Sequence, residues 1–387
     1  MNTIELLNII ASGETSTVQF KEKLDNNDSI AAEMIAFANS KGGKILFGVE
    51  DKTGSIKGLD YHQLQKIENR LATIASDSVK PQIFITTEVI TLEANSKNEK
   101  RVLVVDVEEG STKPYKDRNG AIWQKQGSDK RRVTDNNEQI RLFQESGIVY
   151  VDEMIVPQTS PEQVDISKVI QYLKMQKGNM YQHIEITETL LTNLNIIKKE
   201  QLTLGGLLFF AKEPQKFRPA FCVKAVSFFG NSIGGTDYRS SKDIIGTIPE
   251  MFEETIHFFT SNLHHIQAGQ NFNSVGKLEI SQIALEELLQ NAFVHRDYSK
   301  NAPIRVMIFD NRIEIVSPGA LPNSLTVENI KMGNAVVRNN LLVSYCSKLM
   351  NYRGFGSGIT RALEEEPNTK LINDVDGEQF MVIIPRI

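Results

Sequence analysis

Glu287 and Asn291 stand one helical turn apart in the run Glu286-Glu287-Leu288-Leu289-Gln290-Asn291, so on a helix they share one face. A carboxylate one turn from an amide suits a nucleoside-triphosphate site. Asparagine can ligate magnesium through its oxygen, and glutamate can orient or deprotonate an attacking water. Downstream, Ser317-Pro318-Gly319 and Arg353-Gly354-Phe355-Gly356-Ser357-Gly358 offer backbone that a ligand can approach closely. The alternate glycines Gly354, Gly356 and Gly358 open a helix over 359–363 whose N-terminus can face phosphate. Singly these are weak signals, because a glycine-rich loop is more often a turn and a Glu-xxx-Asn pair is usually solvated surface. Elsewhere, Lys113, Lys116, Arg118, Lys125, Lys130, Arg131 and Arg132 outweigh Asp117 and Asp129, with Tyr115 and Trp123 among them. Phosphates and stacked bases want such a mixture, although a charge run is commonly a solvated loop.

The elements that must position these groups are readable from periodicity. Residues 1–150 alternate helix-like and strand-like patterns, which predicts a mixed α/β domain. It has a short helix over 4–11, a strand over 17–22, and a helix capped at Asp28 or Ser29 that ends at Gly42-Gly43. A buried strand follows over 44–49, then a helix over 62–76, strands over 82–91 and 101–107, a strand over 121–125 and a helix over 136–145. Pro157 and Pro161 mark 151–165 as a linker. Residues 166–240 predict a helical and β connecting module, and 241–387 a third region. That region has a long helix over 244–266, a helix over 281–294, a strand pair over 304–309 and 312–316, and the glycine loop.

Composition bounds the rest. A chain of 387 residues with 40% hydrophobic and 24% charged content can bury real cores, and a net charge of −5 argues against non-specific coating of nucleic acid. Cys222 and Cys346 form no CxxC or Cys/His cluster, so neither a disulfide framework nor a zinc finger is supported. The N-terminus lacks a signal-peptide pattern and the apolar runs are too short to span a bilayer, so a cytoplasmic protein with no membrane association is expected.

The order of helix, strand pair with a Pro-Gly turn, and glycine loop resembles the GHKL ATP-binding fold, an α/β sandwich. Residues 286–363, with Asn291, His295-Arg296-Asp297-Tyr298, Ser317-Pro318-Gly319 and Gly354 to Gly358, are similar to the divergent GHKL (HATPase-type) domain that follows Schlafen AlbA-like domains in bacterial proteins. The resemblance implies Glu287 as base of any ATPase activity, Asn291 on magnesium, and Gly354, Gly356 and Gly358 on the phosphates. The usual Asp-x-Gly-x-Gly box is represented by Ser317, Gly319 and Leu321, so the acceptor for the adenine amino group is an uncharged hydroxyl and weakened nucleotide affinity is expected. His295 and Asp297, after the helix, either close the nucleotide pocket or hold the turn, and receive no catalytic role.

The stretches Gly13-Glu14-Thr15-Ser16-Thr17-Val18-Gln19-Phe20-Lys21, Ala36-Phe37-Ala38-Asn39-Ser40-Lys41-Gly42-Gly43 and Phe47-Gly48-Val49-Glu50-Asp51 resemble the Schlafen AlbA-like domain. That resemblance implies nucleic-acid binding, with DNA favoured over RNA. In some relatives it implies metal-dependent RNA cleavage by three acidic residues, to which Glu14 and Asp51 correspond. Position 19, normally glutamate, is glutamine, which supplies no charge to hold a metal. The reading is a nucleotide-responsive nucleic-acid-binding protein with ATP and magnesium as cofactors, a transcriptional regulator. The alternative is a metal-dependent nuclease, a phage-defence effector gated by the nucleotide domain. GHKL relatives often dimerise, so a homodimer is compatible with the resemblance, though no segment specifies it.

Overall fold

The computed structural model describes residues 1–51, 53–92, 99–146, 148–177, 185–234, 237–266, 276–322, 325–350, 352, 354 and 356–386. It is a mixed α/β protein of two compact units, Met1–Val149 and Tyr150–Ile387.

In the first unit a four-stranded sheet runs in the order Val18–Lys21, Gly43–Phe47, Lys100–Val107, Ile85–Leu92, the first pair parallel and the others antiparallel. Alternation along the strands feeds two cores. Ile45 and Phe47 pack with Leu103 and Val105 beneath the helices Asn27–Ala38 and Tyr61–Thr73, while Leu46 joins Phe20, Ile90 and Val102 on the opposite face. The Asn27–Ala38 helix starts two to three residues earlier than its sequence signal, because Asn26, rather than Asp28 or Ser29, is the cap and accepts from the backbone N–H groups of Asp28 and Ser29. Beyond the sheet, Trp123–Gln126 and Asp129–Arg132 form a hairpin, and the helix Asn136–Glu145 follows at its expected place.

The second unit is built on one six-stranded sheet. Its order is Tyr238–Ile244, Val223–Phe228, Ile304–Ile308, Arg312–Pro318, Gln379–Pro385, Lys370–Asp374. The expected boundary at 240/241 therefore falls inside a strand. Val223–Phe228, expected in a connecting module, lies parallel to Ile304–Ile308 from the expected third region. Residues 151–165, expected as a linker, are folded into this unit. Val156 N–H donates to Leu202 O, Val164 bridges Ala211, and the Asp152 carboxylate accepts from Leu342 N–H at 3.0 Å. Pro161 starts a 3-10 turn, Pro161–Gln163, and does not mark a free tether. The long helix begins at Ile248 rather than 244, since Gly246 and the cap at Thr247, with Pro249 behind it, fix its start. Among the described residues no helix is long and apolar enough to cross a membrane.

Candidate functional site

Two helices carry the site in the second unit. Gln282–Val294 buries Leu285, Leu288, Leu289, Ala292 and Phe293, which leaves Glu287 and Asn291 together on the flank of its apolar face. Ser357–Glu365 starts at Gly356, held in the left-handed region (φ 74°). A Cβ there would sit 2.1 Å from the Gly333 carbonyl oxygen, so the turn admits only glycine. The helices run antiparallel. Ser281 N–H and Oγ donate to Glu366 and Glu365, Glu287 meets Arg361, and Asn291 meets Gly358.

This zipper brings sequence-predicted residues to one cleft that opens to solvent. Glu287, Asn291, Ser317, Gly319, Gly354, Gly356 and Gly358 all line it. Arg353 and Phe355 of the glycine-rich stretch lie outside the described residues. Asn291 Nδ2 donates to Glu287 O at 2.7 Å, which leaves its Oδ1 as the atom free to meet a hard cation. Ser317 donates its hydroxyl proton to Ala292 O at 2.9 Å, so toward the cleft Oγ is an acceptor only. A Cβ on Gly358 would stand 2.6 Å from Glu287 Oε2 and 3.1 Å from Asn291 Nδ2, so this glycine lets the two helices close at the polar end of the cleft. Among the described residues no group of three or more His, Cys, Asp or Glu could hold a metal.

Arg361 and Tyr352 line the cleft without having been singled out from the sequence, and His295, one of the two residues read as closing the pocket or holding the turn, lines it too. Arg361 Nη2 pairs with Glu287 Oε1 at 2.6 Å. His295 Nε2 lies 3.1 Å from Tyr352 Oη; enclosure, with help from Arg338, pushes the imidazole down to about 4, so it is neutral near pH 7. Burial pushes the Tyr352 phenol up to about 12. Arg296 and Asp297 serve the fold. The Arg296 guanidinium lies 4.3 Å from the centre of the Phe221 ring and donates to Ala302 O, while Asp297 accepts from Ser299.

In the first unit the basic run does not form the open patch its composition suggests. Lys125 Nζ donates to Glu33 Oε1 at 2.8 Å and to Gln19 Oε1 at 3.0 Å, with its side chain 2% exposed. Lys130 reaches the other oxygen of Glu33 at 2.8 Å, Arg131 pairs with Glu138, and Lys113 with Glu109. Trp123 Nε1 donates to Asp117 at 3.1 Å while its ring packs on the core, which leaves it poorly placed to stack a base. Lys116 lies over the Phe143 ring, and Arg118 makes an exposed pair with Asp28. Arg132 is exposed. The overlooked signal was Glu33, which shares the helix face of Ile30 and Phe37 and so must be buried and neutralised. Glu14 accepts from Gln19 Nε2 and from Phe20 N–H, and Asp51 pairs with Lys21 rather than with Glu14.

Residues 14–134 match the family model described as Schlafen, AlbA_2. Residues 301–384 match the one described as "Putative ATP-dependent DNA helicase recG C-terminal". The first match covers Glu14, Gln19, Asp51 and the basic run; the second covers Ser317, Gly319, the glycine loop and Arg361, but not Glu287 or Asn291. Among solved structures the chain is similar to the DIP2311 protein from Corynebacterium diphtheriae. The identity is 20% and the TM-score 0.48, over 99% of this chain and 80% of that one. No curated protein matches it. The chain thus carries a Schlafen AlbA_2 domain at its N-terminus and an ATPase-like domain of the HATPase_c_4 type at its C-terminus.

Proposed function

We propose that the protein is a nucleotide-responsive nucleic-acid-binding protein, a transcriptional regulator that takes ATP with magnesium in the cleft of its second unit. The observation that carries this reading is the convergence of Glu287, Asn291, Ser317 and the glycine loop on one cleft beside the Gln282–Val294 helix. Apolar walls at Leu288, Ile315 and Val382 suit a flat base, and Ser317 Oγ suits an amino group as its acceptor. Asn291 Oδ1 would ligate the magnesium, whose role is to neutralise phosphate charge. An AlbA_2 domain in the same chain supports nucleic acid as the second ligand, with DNA favoured. If ATP shifts nucleic-acid affinity, nucleic acid must shift ATP affinity by the same factor.

Calorimetric titration of the full chain with ATP and magnesium is expected to release or absorb heat and to raise the melting temperature. Asn291→Ala should weaken this binding by about tenfold, the loss of roughly one hydrogen-bond-strength contact to a charged group. No heat and no thermal shift at millimolar ligand would refute the nucleotide reading.

For the first unit, binding without cutting is expected. Gln19 brings no charge, and the space between Gln19 and Glu33 already holds the Lys125 ammonium. Purified protein should leave RNA and DNA intact in manganese. Cleavage that disappears in Glu14→Ala would replace the regulator with the nuclease. For binding itself, Arg132→Ala is the clean probe, because Lys130 and Arg131 also hold the hairpin through Glu33 and Glu138. Losing one phosphate contact should lower the log–log salt slope by about 0.7 to 0.9 for every sequence alike.

A further inference from the structure

We propose that Arg361 is the phosphate-sensing residue of the cleft: Glu287 pairs with it, and an anionic ligand takes it over by exchange. This rests on the nucleotide reading above and adds what selects a phosphorylated ligand.

Among the described residues lining the cleft, Glu287 and Arg361 carry the only formal charges, and they face each other at 2.6 Å. The Glu287–Arg361 pair is therefore electrically balanced. A nucleotide entering the cleft without metal meets one carboxylate that repels its phosphates and one guanidinium already engaged. Arg361 is well made for the exchange. Its side chain is 36% exposed against 13% for Glu287, so the arginine is the partner more accessible to a ligand. Its Nε is buried with no hydrogen-bond partner, so the pair with Glu287 leaves part of the guanidinium fork unused. A phosphate can engage that fork bidentately, as a carboxylate already held on one nitrogen does not.

The position reinforces this. Arg361 follows Gly358 by one turn of the Ser357–Glu365 helix, whose opening residues Ser357, Gly358 and Ile359 also line the cleft. A phosphate set against that opening lies within one helical turn of the guanidinium. The antiparallel packing with Gln282–Val294 then makes the exchange consequential. When Arg361 leaves, Glu287 loses its only ion-pair partner among the described residues and its carboxylate becomes available to water or metal. One residue would thereby both recognise the phosphates and release the candidate base.

The experiment is a comparison of ATP and adenosine affinities in EDTA, where no metal can supply the missing positive charge, using wild type, R361M, R361K and E287Q full-length protein. Wild type should prefer ATP. R361M should shrink the ATP-to-adenosine affinity ratio by tenfold or more, and R361K should restore part of it. E287Q, which frees the guanidinium and removes the repulsion, should raise ATP affinity several-fold. An unchanged ratio in R361M, or weaker ATP binding in E287Q, overturns the role of Arg361 while leaving the nucleotide reading standing. Failure of wild type to bind either ligand, with or without magnesium, overturns both. Melting curves of each variant separate loss of contact from loss of fold, and if R361M does not fold, the R361K ratio and the E287Q gain decide alone.

Discussion

Lys125→Met is expected to lower the unfolding free energy of the first unit by about 3 kcal/mol, near the low end for breaking a buried ion pair. Glu33 is the reason. It is 2% exposed in the middle of the Asn27–Ala38 helix, and Lys125 and Lys130 each take one of its oxygens at 2.8 Å. With Lys125 gone, Lys130 still reaches one oxygen, which keeps the loss from being larger. The other oxygen, and Gln19 Oε1 with it, is left in a pocket closed to water. Glu33→Gln in the same protein should recover much of the loss, because it removes the charge that needs a partner. Trp123 is the only tryptophan of the chain and packs against this core, so its fluorescence in a urea titration reports this unit selectively. A midpoint shift at constant slope is the expected form. Lys125→Met within about 0.5 kcal/mol of wild type, the range of ordinary surface changes, would show that the buried network is not what holds the hairpin.

That network also marks where the sequence stopped being informative. The helix over 136–145, the buried strand after Gly42-Gly43 and the pairing of Glu287 with Asn291 were legible because each depends on local spacing, three to four residues on a helix or two on a strand. The Asp129–Arg132 strand was not. Its residues are all charged, and what makes them a strand is the hairpin with Trp123–Gln126 and an acid almost one hundred residues earlier, at position 33. The boundary at 240/241 failed for a related reason. Tyr238–Ile244 is an edge strand with most side chains exposed, so it lacks the apolar run that signals a strand, and its partner Val223–Phe228 completes a sheet continued by residues beyond 300. In the cleft, residue types and order identified Glu287, Asn291 and the glycines. The antiparallel register that sets Arg361 against Glu287 depends on Ser281 meeting Glu365 and Glu366, a contact between segments more than eighty residues apart.

Asp152→Asn is expected to flatten the pH dependence of stability of the second unit and to gain stability relative to wild type as pH rises from 4.5 to 7.5. Asp152 is fully buried, and burial pushes its carboxyl up to about 6 against hydrogen bonds from the backbone N–H groups of Leu342 and Leu341 that favour the charged form. The sign follows from linkage. A folded-state value above the unfolded value, near 3.8, means the folded protein binds the proton more tightly, so the contribution is complete below about pH 3.8 and is lost as pH rises through about 6. Wild type therefore gives up on the order of 2 to 3 kcal/mol across that window from this one group. The asparagine variant does not titrate and can still accept from Leu342 N–H through its own oxygen. Its amide is left near the spot where Asp152 Oδ1 has no partner, which adds a constant penalty. That penalty shifts the two stability curves apart equally at every pH, whereas the titration makes them diverge. Denaturant midpoints for both proteins at pH 4.5 and pH 7.5 thus isolate the effect: the variant should gain on wild type between the two pH values by about 2 kcal/mol. Parallel curves would mean that Asp152 stays ionised in the fold. The N-terminus of the helix Asn340–Leu349, where Leu342 lies, would then be a setting polar enough to hold a buried carboxylate without a cation.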